Sequence, residues 1–354
     1  MKGTKMMDIL VTIFTAFISG VLATAMGALG SVILTALVSI VGVFSIMAGC
    51  EYNIIGNICF GMFLGPQVAF GPALCAMNYA WKKGYIQDSK GLAFPLGSLQ
   101  KTDVLVVGGI CAVAGWYINT TLGTFLPGLF DCVAATIVIL NIVTKIMFGN
   151  QGLMGKVPEG DKRFGLNSKN KWLPHMTYGH GSMFWLFGGS VGFIAAWLLY
   201  QMCRFSEQVG NPMIAGISFV PLWAIAVVFL IFMCCGLPCP VFHHVGLVGA
   251  YGAQMAYNAG CSEISVYLWG FAFGIFAHYA GDLLADLFFV YGEGYVDPPS
   301  LSMLFCSVFA FAVIPALGLV NPNGLISVIA PITIILAFGI FAFFTEKCKK
   351  ANVI

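Results

Sequence analysis

The chain has 354 residues, 59% hydrophobic and only 8% charged, with a formal net charge of +2. Soluble domains carry about 25% charged residues and have too little core to hide this much apolar surface, so a large water-soluble enzyme is excluded. No basic block suited to nucleic acid is present, which removes that partner as well.

Residues 9–50, 52–81, 208–242 and 298–345 contain no Asp, Glu, Lys, Arg or His. Uncharged apolar runs of this length mark membrane helices. Lys2 and Lys5 precede the first run, which continues past Gly30 without a clear break, so it reads as an uncleaved helix over 8–28. A second helix is expected over 30–49. The third, 53–82, contains Gly65-Pro66 and Gly71-Pro72. Proline removes a backbone donor, so this helix is expected to be broken or kinked. A polar loop, 82–101, follows with Lys82, Lys83, Lys90 and Lys101. Helices are expected at 103–120 and 125–147, then a solvated loop over 149–179 with Lys156, Lys162, Arg163, Lys169 and Lys171. Helices 6 to 11 are expected at 181–203, 213–236, 240–258, 263–292, 300–318 and 325–345, before a tail with Lys347, Lys349 and Lys350. The fold class is thus an all-α polytopic transmembrane bundle of about 11 spans.

Basic segments favour the cytoplasmic side. The loop 82–101, the loop 149–179 and the tail are separated by even numbers of helices, which places all three, and the C-terminus, in the cytoplasm. The N-terminus then lies outside, or inside if helix 3 is a hairpin of half-helices.

The two halves resemble each other. Ala48-Gly49-Cys50 recurs as Ala259-Gly260-Cys261, and Gly71, Leu74, Gly84 and Tyr85 recur as Gly281, Leu284, Gly294 and Tyr295. In this register helix 3 pairs with helix 9. The organisation is a first five-helix half (1–148), a cytoplasmic loop (149–179), a connector helix (180–204) and a second five-helix half (205–354). Chance matching of common Gly and Ala is the competing explanation.

The ninth helix carries the chemistry. His278, Asp282 and Asp286 are four apart and Glu293 follows seven later. On a continuous helix they fall within an arc of roughly 80°. Intramembrane titratable groups are costly and usually mark a polar cavity or a solute path. Counted from the turn at Cys261, His244 and His278 are equidistant, so His243 and His244 are expected at the depth of His278 and Asp282. Three readings compete. One is a proton or ion relay through His278, Asp282, Asp286, His243, His244 and Glu293. The second is a divalent-metal site drawn from His243, His244, His278 and Asp282. The third is mutual pairing of buried charge without function.

Cys234-Cys235-x3-Cys239 has the residue types of a soft-metal cluster, but Pro238 and Pro240 end the helix there, and most of the 12 cysteines read as small packing residues. Asn53, Asn57, Gln67 and Asn78 on helix 3 are candidates for the neutral wall of a solute path, or for hydrogen-bonding glue between helices. No Gly-Lys-Ser/Thr phosphate loop, Gly-x-Ser-x-Gly or His-Glu-x-x-His occurs.

The stretches FGMFLGPQVAFGPALCAMNYAWKKGY (60–85), KTDVLVVGG (101–109), PCPVFHH (238–244) and GDLLAD (281–286) resemble an uncharacterised family of permease-like prokaryotic membrane proteins. The resemblance implies a multi-pass protein of a prokaryotic cytoplasmic membrane and no particular activity. The expected function is a transporter or channel for a small polar solute or ion, not an enzyme and without a resident cofactor, homo-oligomeric in the lipid bilayer. The alternatives are a membrane-embedded metal protein or enzyme, and a non-transporting subunit of a larger complex.

Overall fold

The computed structural model describes residues 2–164 and 181–350, with the side chains of 6–164 and 181–347. The expectations for Lys169 and Lys171, the rest of the loop to 179, and the basic tail at Lys349 and Lys350 lie outside the described side chains. All regular structure among the described residues is helical.

α1 (Lys2–Met26) and α2 (Ala28–Met47) form a hairpin at Gly27. The expected third helix is broken. A single π-helical turn at Ile55–Cys59 gives way to irregular chain, and α3 begins only at Phe70, running to Lys82. The break follows Gly65-Pro66, and side chains replace the lost backbone pairing. Thr35 donates to the Leu64 carbonyl at 2.8 Å and Gln67 Nε2 to the Phe60 carbonyl at 2.8 Å. Pro72 sits in the first turn of α3, where its missing donor costs nothing.

α4 (Thr102–Phe125) is followed by α5 (Cys132–Phe148), which starts later than 125. Gly128 adopts φ +73°, and Asp131 caps α5 by accepting from the Ala134 N–H at 3.0 Å. α6 spans Gly181–Val209. The expected helix 213–236 is three short pieces: α7 (Pro212–Gly216), α8 (Val220–Val228) and α9 (Ile231–Cys234). Pro221 in the first turn of α8 accounts for the first interruption; nothing in the residues explains the second. α10 (His243–Asn258) and α11 (Glu263–Phe288) follow, then α12 (Pro298–Val308), which continues through a π-helical turn into α13 (Ile314–Ala316), and finally α14 (Ile326–Lys350).

Among the described residues, seven helices are long and apolar enough to cross a membrane: α1, α2, α4, α6, α11, the α12–α13 unit and α14. The α5 stretch Cys132–Phe148 and the α8–α9 stretch Val220–Cys234 are shorter apolar helices. Large apolar side chains such as Phe14, Phe44, Leu336, Ile340 and Phe343 are exposed, the inverse of a soluble surface and suited to lipid.

α11 is the most buried of these seven helices. It packs against α6, α10, α12 and α14, and 72% of its most apolar window is buried, against 17% for α14. Close approach to α6 depends on glycine. A Cβ on Gly192 would lie 2.1 Å from the Gly270 carbonyl oxygen, and one on Gly274 would lie 2.1 Å from that of Gly188. α1 crosses α4 in the same way, where a Cβ on Gly20 would lie 2.6 Å from the Gly108 carbonyl oxygen.

The described parts of the basic segments gather at one end. Ser89 donates to Glu293 at 2.7 Å, Lys90 to the Val290 carbonyl at 3.0 Å, and Arg163 to the Asp286 carbonyl at 3.0 Å. At the same end the Ser182 N–H, at the start of α6, donates to Glu346 near the end of α14 at 2.8 Å.

Candidate functional site

A cavity of about 1080 Å³ lies between α2, α3 and the start of α5 on one side and α8, α10 and α12 on the other. The loop 90–95 and the segment 289–297 complete its wall. Most of the lining is apolar and aromatic, including Phe60, Phe70, Trp223, Phe289 and Phe311. The polar groups are few: Lys90, Asp131, His243, Tyr251, Gln254, Tyr295, Asp297 and Ser300. A large apolar chamber with a small set of fixed polar groups is the usual form of an organic-ligand site.

Two of those groups are helix caps. Asp131 accepts from the Ala134 N–H through one oxygen and from the Tyr251 hydroxyl at 2.6 Å through the other. Asp297 caps α12, accepting from the Ser300 N–H at 2.8 Å, the Ser300 hydroxyl at 2.6 Å and the Tyr295 hydroxyl at 3.3 Å. Burial pushes both carboxyls up, against the pull of these donors, and Asp297 reaches about 6. Sequence reasoning missed the pair as a site. The signal was there in Gly-Leu-Phe-Asp at 128–131 and Gly-Tyr-Val-Asp at 294–297, each with its glycine at positive φ.

The expected histidines and carboxylates come together only in part. His243 lines the cavity. Its ring centroid lies 5.7 Å from that of His244, which lies 6.1 Å from that of His278. His278 also packs on Phe184 and Phe187, at 5.3 and 5.8 Å. Asp282 and Asp286 follow at successive turns of α11, and both are 6% exposed. Asp282 Oδ2 has no hydrogen-bond partner among the described residues, and neither does Nδ1 of His243. A row of five titratable groups thus leads from the cavity wall along α10 and α11. His244, His278, Asp282 and Asp286 do not themselves line the cavity.

Glu293 is a correction. α11 ends at Phe288, so Glu293 is not on the helical stripe but in the following loop, where it accepts from Ser89. Gly292 and Gly294 at φ +74° and +92° turn the chain there. The end of α11 is held instead by three cations. Arg163 donates to the carbonyls of Asp286 and Leu287 at 3.0 and 3.4 Å. Lys145 donates to those of Phe288 and Tyr291 at 2.7 and 3.4 Å, and Lys90 to that of Val290. Cations at a helix C-terminus satisfy its orphan carbonyls and oppose its dipole. Burial lowers the Lys90 ammonium, while Glu293 and Asp88 oppose that shift. Lys145, fully buried, was legible as the single charge within 132–148.

The four candidates on helix 3 do not line the cavity. Asn53 accepts from the Gly56 N–H, and Asn57 is exposed. Gln67 bridges the broken helix as described. Asn78 ties three segments together, donating to Thr144 and the Tyr295 carbonyl and accepting from the Tyr295 N–H at 2.6 Å.

Among the described residues no three His, Cys, Asp or Glu side chains are grouped as metal ligands would be. Cys234 and Cys235 are exposed, whereas Cys239 is buried and donates to the Phe229 carbonyl.

Fold and surface together define a multi-pass integral membrane protein. Within that class the chain belongs to a family of unknown function, DUF7973, whose profile matches it twice, over residues 1–171 and 159–329. No curated protein and no solved structure matches it.

Proposed function

We propose that this protein is a secondary transporter built from two inverted five-element repeats, with a solute chamber between them and a proton path beside it. The observation that carries the reading is the cavity, with His243 in its wall at the head of the row that leads to Asp282 and Asp286. Ionisable residues inside membrane bundles are costly and mark ion pathways and proton relays.

The repeat reading pairs α1 to α5 with α6, α7–α9, α10, α11 and α12, and leaves α14 outside. It is supported by the double family match, by the shared Gly-x-x-Asp caps, and by the matching glycine crossings of α1 on α4 and α6 on α11. It is also supported by the antiparallel packing of α5 on α12. Asp131 N–H meets Ser307, Val138 packs with Leu301 and Val296, and Lys145 lies against Gly294. An odd number of crossings per repeat inverts the second, a plan that places substrate sites at the repeat interface. This register differs from one that makes 180–204 a connector and pairs helix 3 with helix 9. The end that gathers the basic loops is the cytoplasmic one in this reading.

The test uses purified protein in proteoliposomes loaded with the pH dye pyranine, challenged in turn with small organic cations, anions and zwitterions. One class should drive proton movement across the wild-type vesicles and not across protein-free ones. Proton flux with none of the three classes would end the transport reading.

A further inference from the structure

The two carboxylates of the chamber hold equivalent places in the proposed repeats, and both meet the same space. Asp131 enters from the α4–α5 turn and Asp297 from the α11–α12 turn. Each is paired with a tyrosine hydroxyl that also lines the chamber. A carboxylate has about four acceptor sites. The donors described above leave acceptor capacity on each.

The surroundings favour a positive guest. Aromatic rings stand beside each acid: Tyr251 packs on Phe311 at 5.0 Å beside Asp131, and Phe289 on Tyr295 at 5.0 Å beside Asp297. Ring faces attract cations and bury apolar groups. The only lysine in the wall among the described residues is already engaged. The Lys90 ammonium donates to the Val290 carbonyl and sits 5.0 Å over the Phe289 ring, with Glu293 and Asp88 nearby to balance it. The remaining ionisable groups facing the chamber are His243 and Tyr251 from α10 and Tyr295 from the segment before α12.

We infer that the chamber binds amphipathic organic cations, with Asp131 and Asp297 supplying its negative charge from opposite repeats. The inference deepens the transport reading and rests on it for the movement of the solute, but the binding step stands by itself. Protonation of either carboxyl weakens the attraction, so affinity should fall as pH drops through about 6, where Asp297 takes up its proton.

The full-length protein in nanodiscs should be titrated with tetraphenylphosphonium and with tetraphenylborate, which share size and shape and differ in the sign of charge. Empty nanodiscs supply the background. At pH 8 the phosphonium should bind at least about tenfold tighter than the borate. Asp131→Asn and Asp297→Asn should each weaken phosphonium binding by roughly three- to tenfold, asparagine being able to keep both helix caps. Borate binding as tight as phosphonium binding in the wild type would overturn the inference, whatever the variants do. A double Asn variant that stays folded and keeps the full preference would overturn it too. Phosphonium binding without solute-driven proton flux would remove the transport reading and keep the site. Flux driven by anions alone would do the reverse.

Discussion

α4 and α11 hold the same place in the proposed repeats and differ in what they carry. Both lie against the first helix of their set through glycine, Gly108 near Gly20 and Gly270 near Gly192. Counted from Gly108 and Gly270, His278, Asp282 and Asp286 correspond to Trp116, Thr120 and Thr124. On α4 the two threonines are exposed and donate back to their own helix, Thr120 to the Trp116 carbonyl and Thr124 to the Thr120 carbonyl. On α11 the two acids are buried. Only 28% of the α4 window is buried, against 72% for α11. The crossing itself therefore needs glycine and no charge. In the proposed repeats the acids of α11 have no counterpart at the equivalent glycine crossing, and this asymmetry is the argument for proposing a function for them.

The scaffold half of the comparison should break hardest. Gly192→Leu drives a side chain into the Gly270 carbonyl and should cost about 3 kcal/mol or more, abolishing a monodisperse peak in size-exclusion chromatography. Gly123→Leu, at a position on α4 with open space around it, should leave the peak intact. Equal behaviour of the two would mean that the close crossing is not what holds α6 on α11.

Next in size is the cap on α11, which α4 lacks. Lys145→Ala leaves the Phe288 and Tyr291 carbonyls without their ammonium and should destabilise the protein by about 1–3 kcal/mol, read as a lower Tm. An unchanged Tm would show that the end of α11 is secured by Arg163 and Lys90 alone.

Asp297 sharpens the comparison through pH. Its carboxyl sits near 6 in the folded protein, above the ordinary value of about 4. Between those values the folded state binds more protons than the unfolded one. Stability should therefore fall as pH rises from about 4 to about 6, by on the order of 1–3 kcal/mol, and stay lower above that window. Asp297→Asn keeps the cap and should flatten that part of the Tm-versus-pH curve. A slope that persists in the variant would assign the titration elsewhere. The smallest effect belongs to α4, where Thr120→Val and Thr124→Val should each change stability by no more than about 0.5 kcal/mol.

Much of this was legible in the residues. Helix positions followed from uncharged runs, and the break in the third helix followed from Gly65-Pro66. The depth match of His244 with His278 followed from equal counts on either side of Cys261. Other features depend on tertiary contact. Glu293 shares the helical phase of the stripe, but Gly292 and Gly294 turn the chain first, so periodicity alone misled. The chamber lies against α10 and is lined by no residue of α11, and helix rotation is not written in spacing. Asp131 falls inside the helix expected over 125–147, and Asp297 in the loop ahead of the helix expected at 300–318; that both turns reach the chamber is decided by packing.

The sharpest single test sets the two helices side by side in the pyranine vesicle assay, using whichever solute class drives proton movement in the wild type. Asp282→Asn should reduce that proton flux by about tenfold or more while leaving solute binding in nanodiscs near wild type, and Thr120→Val should leave both unchanged. Wild-type flux from Asp282→Asn would contradict the account at its centre, because the acids of α11 would then be no more functional than the threonines of α4.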